Sequence, residues 1–145
     1  MSNDIREIEN DLRDYKYLDI KIKSIEMDIE MLQNDITLKA INYDEKSGPT
    51  NAFSSSVENE VIRRDEVVKE QIQKLQKAKL FYLYKKNKIE NALNYLTKEE
   101  LKLVEMRYFT RPQKSWVEIS NVMNIANTHC CTMRLKIIDK IKKYI

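Results

Sequence analysis

From Ile5 to Ile36 the chain places an apolar or aromatic residue every third or fourth position: Ile5, Ile8, Leu12, Tyr15, Leu18, Ile22, Ile25, Ile29, Leu32 and Ile36. That spacing is a coiled-coil seam, with two successive three-residue steps ending at Leu18 that overwind the helix locally. It predicts a helix from about Asn3 to Tyr43, roughly 60 Å long at 1.5 Å per residue. A single helix cannot bury its own seam, so this one needs a partner.

A partner follows in the same chain. Val61, Val68, Leu75, Tyr82, Ile89 and Leu96 recur every seven residues. Ile72 and Leu93 give a partial companion row, which Lys79 and Lys86 dilute. A second long helix is therefore expected over about Ser56–Leu96. The segment between, residues 44–56 (DEKSGPTNAFSSS), holds the only glycine and one of the two prolines. It reads as a loop, and Ser55 with Glu58 as a capping box beyond it. A loop of that length lets the second helix return antiparallel along the first. Charge supports the pairing: residues 1–45 carry 6 basic and 12 acidic side chains, residues 46–97 carry 10 and 6. Ile20, Met27, Met31 and Leu38 form a sparser stripe opposite the first seam, and Ile62, Val67 and Leu83 add apolar positions on the second helix. A hairpin alone leaves these unpacked, so a homodimer forming a four-helix bundle is expected.

The last third, residues 97–145, carries 10 basic against 5 acidic side chains. Thr97 with Glu100 makes a capping box, followed by Leu101, Val104 and Tyr108 on one face. Arg111-Pro112 interrupts that helix, because a residue before proline is pushed out of the helical region. Ser115 with Glu118 opens a short helix with Trp116, Ile119 and Met123 inward. Asn124 suits the left-handed turn conformation. A last helix from about Asn127 carries Cys130, Met133, Leu135, Ile137, Ile138 and Ile141. Short helix, three-residue turn, longer helix is helix-turn-helix geometry. The fold class expected is thus all-α: a long antiparallel helical hairpin over 1–96, used for oligomerisation, and a helix-turn-helix domain over 97–145.

Composition excludes several functions. One glycine in 145 residues, with 34% charged side chains, leaves no glycine-rich phosphate loop, and there is no nucleophile elbow and only one histidine. No enzyme and no cofactor is expected. Cys130 and Cys131 are adjacent, which strains a disulfide, so both are read as reduced thiols. With His129 they make a poor metal site, and no metal is expected. No run of about 18 apolar residues is present and the N-terminal stretch is acidic. A cytoplasmic protein, away from membranes, is expected.

The runs TKEELKLVEMRYF and SWVEISNVMNIANTHCCTMRLKIIDKIKKYI resemble the region 4 helix-turn-helix of sigma factors. The likeness lies in Arg107-Tyr108, Trp116 with Glu118-Ile119, the turn, and the basic tail Lys140, Lys142 and Lys143. The whole chain, with its long helical N-terminal part and the phrase SSSVENEVIRRDE, is similar to phage regulators of the ArpU and RinA families. The resemblance implies a transcriptional activator of phage or prophage late genes that binds double-stranded DNA and touches host RNA polymerase. Carried onto this chain, it puts base-edge contacts at Asn127, Thr128, Cys131 and Thr132. The Cys130-Cys131 pair departs from the larger polar residues usual there, and Asn127 is also a candidate cap. Arg111, Lys114, His129, Arg134 and Lys136 are candidates for phosphate contacts, which position without specifying. Two other readings stay open: a DNA-packaging protein resembling a small terminase subunit, and a coiled-coil assembly protein that binds no DNA.

Overall fold

A computed structural model describes the backbone of residues 2–44 and 54–145 and the side chains of 4–35 and 59–145. Among the described residues the chain is all-helical, with no strand. Five α-helices follow in order: α1 Ser2–Asp44, α2 Ser54–Leu93, α3 Lys98–Val104, α4 Trp116–Met123 and α5 Asn127–Ile141. A π turn, Glu105–Phe109, continues α3. The expected loop residues 45–53, the Ser55–Glu58 capping pair and the side chains of Ile36 and Leu38 lie outside the described residues. No helix among them is long and apolar enough to cross a membrane.

The seam of α1 faces inward as its spacing requires. Ile8, Leu12, Leu18 and Ile22 are buried, and Ile5, Tyr15, Ile25, Ile29 and Leu32 are half-buried. On α2, Ile89 is buried, while Val61, Val68, Ile72, Leu75 and Tyr82 are half-buried. The opposite stripe is exposed: Met31 keeps 71% of its surface open and Met27 61%.

Contacts divide the chain into two compact units, Met1–Ile20 with Leu83–Ile145, and Lys21–Tyr82. In the second unit, Lys79 pairs with Glu26 at 2.8 Å and the Lys21 ammonium lies 5.4 Å over the Tyr82 ring. Asp28, Met31 and Leu32 share a groove with Gln71, Lys74 and Leu75. In the first unit, Lys85 meets Asp11 and Lys86 meets Asp19, each at 2.6 Å. The Tyr15 hydroxyl donates to Glu90 at 2.8 Å. Such partly exposed ion pairs contribute about 0–1 kcal/mol each, so they mark register more than they stabilise.

The first unit does not begin at residue 97. The C-terminal helices complete their core with the start of α1: Ile5 and Ile8 line a groove with Leu135 and Ile138 of α5. Tyr15 packs on Phe109 with ring centroids 4.9 Å apart. Leu103, Val104, Ile119, Cys130, Ile137 and Ile141 are almost wholly buried beside Leu12, Ile89 and Ala92 in the same unit. Each fully buried Leu or Ile contributes roughly 1.5–3 kcal/mol, far above the surface ion pairs.

Candidate nucleic-acid interface

Both capping boxes of the last third are formed. The Thr97 side chain accepts from the Glu100 amide at 3.3 Å, and the Thr97 amide donates back to Glu100 at 3.2 Å. Ser115 and Glu118 exchange the same pair of bonds, at 3.2 and 2.7 Å. The Ser115 backbone bond holds the Glu118 carboxyl below its ordinary range. Arg107 fixes the approach to α4, donating to the Lys114 carbonyl at 3.0 Å with its guanidinium 4.5 Å over the Trp116 ring. Helix α4 ends on Asn124, which sits in the left-handed region at φ 55°, ψ 45°. The Ile125 amide then donates to Ser120 O at 3.1 Å, closing the turn into α5.

Helix α5 buries Cys130, Met133, Ile137, Ile138 and Ile141. Asn127, Thr128, Cys131 and Thr132 are all exposed and share a side of the helix in its first two turns. The Thr132 hydroxyl donates to Thr128 O at 3.0 Å. Ala126 is the N-cap and supplies no side-chain bond, so Asn127 is the first helical residue and not the cap. Burial pushes the Cys130 thiol up, with Cys131 adding to it, and both cysteines are free. A raised thiol is a poor nucleophile at neutral pH. Among the described residues no group of three His, Cys, Asp or Glu could hold a metal ion.

The cationic candidates separate into two kinds. His129, Lys136 and Arg111 are exposed, and Lys114 is half-buried. Arg134 is committed to another partner: its Nε donates to Glu9 Oε1 at 2.5 Å, and the Tyr108 hydroxyl donates to the same oxygen at 2.7 Å. Burial of Glu9 favours the neutral acid, but these two bonds and the Arg134 charge outweigh it and hold the carboxyl below its ordinary 4.5. The same cluster raises Tyr108, through burial first and then Glu9. Two cations of the basic tail are also engaged. Lys140 contacts both Glu100 oxygens, at 2.7 and 2.9 Å, and Lys142 meets Asp139 at 2.6 Å.

The family described as "Protein of unknown function (DUF722)" matches residues 4–143, nearly the full chain. The chain belongs to the DUF722 family. No curated protein and no solved structure matches it. The match spans α1 through α5 of this DUF722 chain.

Sequence reading missed Glu9, Glu100 and Arg107 as the residues that position α5 and α4 in this DUF722 protein. Glu100 was seen only as a cap, although it also reaches Lys140 forty residues away. Arg107 stood inside the matched motif but was given no contact. Nothing around Glu9 signals its role, since it is one acid among many on α1.

Proposed function

We propose that this protein is a sequence-specific DNA-binding transcriptional regulator, an activator of phage or prophage genes, in which α4 and α5 act as a helix-turn-helix. The observation that carries the reading is the two-sidedness of α5. Its apolar side is buried, while Asn127, Thr128, Cys131 and Thr132 stand exposed in its first two turns with Lys136 and His129 beside them. A helix entering a major groove reads base edges from such N-terminal positions. Its uncapped first turn also leaves amide donors directed at any phosphate lying there.

In this reading α1 and α2 form the antiparallel hairpin that carries the head, and two chains associate through the exposed side of α1. A dimer presents two copies of α5 and selects paired half-sites about 34 Å, or a multiple, apart. Lys136, His129, Arg111 and Lys114 supply phosphate contacts, while Arg134 serves to position α5. Contact with host RNA polymerase would convert binding into activation.

Fluorescence anisotropy with labelled duplex DNA tests the reading. Binding should weaken linearly on a log scale with salt, at roughly 0.9 counterion per phosphate contact. Lys136→Ala should lower that slope by about one while Arg134→Lys leaves it nearly unchanged. A chain that retains no duplex at 50 mM salt, roughly the low end at which such contacts are strongest, contradicts the proposal and favours a coiled-coil assembly protein. Rings of many subunits in solution would instead favour the packaging reading.

A further inference from the structure

Beside the π turn, and wholly within the first unit, lies a cavity of about 210 Å³ lined by Arg13, Arg107, Tyr108, Thr110, Arg111 and neighbouring loop residues. Three guanidinium groups line it and no carboxylate does. Each is seated on an aromatic ring: Arg13 at 5.9 Å over Tyr108, Arg107 at 4.5 Å over Trp116, and Arg111 at 4.0 Å over Tyr17. Contact with the rings restrains these side chains in advance and reduces the ordering cost of binding.

The donors of these forks are only partly used. Arg13 Nη1 donates to Asn10 at 3.2 Å, and Arg107 Nη1 to the Lys114 carbonyl at 3.0 Å. Arg13 Nε is buried and has no hydrogen-bond partner. A buried charged donor left unmatched is costly, and in native proteins it calls for a water or an ion. Like-charged side chains also repel when converged, an effect that Glu9 offsets in part for Arg13 by electrostatic attraction. The Glu9 carboxylate, one turn from Arg13, already serves Arg134 and Tyr108.

We propose that Arg13, Arg107 and Arg111 form a binding pocket for a single phosphate-type oxyanion. Planar forks match the paired oxygens of a phosphate bidentately, which ammonium groups cannot do. The volume falls below the 300–1,000 Å³ or so of pockets for drug-sized ligands, which suits one oxyanion group and not a whole nucleotide. Its source is either a backbone phosphate of bound DNA or a free phosphate group. The first source rests on the DNA-binding reading above; the pocket itself does not.

Sodium phosphate titrated into the full chain, against sodium chloride at matched ionic strength, tests the pocket. Two signals report on it: fluorescence of Trp116, the only tryptophan, and the Nε–H NMR resonance of Arg13. Both should change saturably with phosphate and not with chloride. In Arg111→Gln, with its far-ultraviolet dichroism checked against the parent, affinity should fall about tenfold or more, as loss of a charge-assisted donor pair predicts. Arg13→Gln should behave alike, with its far-ultraviolet dichroism confirming the fold. Equal responses to chloride and phosphate, or unchanged affinity in both variants, overturn the proposal. Duplex binding separates the sources. A salt slope reduced by about one in Arg111→Gln identifies a backbone phosphate. An unchanged slope beside a lost phosphate response identifies a free group. If phosphate saturates but no duplex binds, the pocket stands and the DNA reading falls.

Discussion

Glu9 ties three elements of the head together through one charge. It joins α1 to α5 through Arg134 and to the π turn through Tyr108, using one carboxylate oxygen for both. Its folded acidity lies below the ordinary 4.5. The ionised form is therefore favoured by folding, and the stability it contributes is complete above about pH 4.5 and lost as pH falls through the lowered folded value. Glu9→Gln should cost about 1–3 kcal/mol at pH 7, the usual penalty for weakening a buried charge-assisted bond. It should also flatten the fall in melting temperature between about pH 5 and pH 3. Thermal melts of both proteins across that range check both points. Tyr15 carries the opposite sign. Burial and the bond to Glu90 push it up to about 12, so the neutral phenol is favoured by folding, and its contribution is lost as pH rises from about 10 through 12. None of this was legible in advance. The partners of Glu9 lie 99 and 125 residues away, and charge periodicity along α1 does not distinguish it from its exposed neighbours.

Helix starts and stops were the best-read features, because their causes are local. The Thr97 and Ser115 capping boxes fall where an S/T-x-x-E pattern puts them, and Asn124 adopts the left-handed stop expected of it. Each follows from atoms within a few residues of one another. Thr97→Ala should lower stability by ~1 kcal/mol in urea unfolding. Asn124→Val should cost about 1–2 kcal/mol, since a Cβ-branched residue fits that conformation poorly, whereas Asn124→Gly should be nearly neutral. Equal stability of the valine and glycine variants would show that the turn relaxes when Asn124 is replaced. The π turn was not anticipated. Spacing placed Val104 and Tyr108 on one face of an ordinary helix, and both are buried. Yet the Thr110 amide and hydroxyl both bond to Glu105 O, at 2.9 and 2.8 Å. That five-residue closure is a choice of backbone register which an apolar pattern does not specify, and such bulges often accompany functional sites.

At the scale of the molecule, periodicity correctly indicated which sides of α1 and α2 turn inward, because a seam repeated over many turns has only one face to bury. It could not indicate where one compact unit ends. A boundary at residue 97 follows from chain order, whereas Ile5 and Ile8 line one groove with Leu135 and Ile138 across most of the sequence. The outcome is a head whose proposed reading helix is braced by α1, by Glu9 through Arg134, and by α3, through Glu100 and Lys140. Bracing of this kind keeps a small helix pair in one orientation, which readout of base edges requires. It also divides the cations into those that hold α5 and those left exposed. The central claim is that the exposed side of α5 reads duplex sequence, and sequencing duplexes selected from a random pool by the full chain tests it most directly. The parent protein should enrich one motif, Lys136→Ala the same motif more weakly, and Thr128→Ala a motif relaxed at a single position. Identical enrichment by Thr128→Ala and the parent, or no enrichment by any of the three, would contradict it.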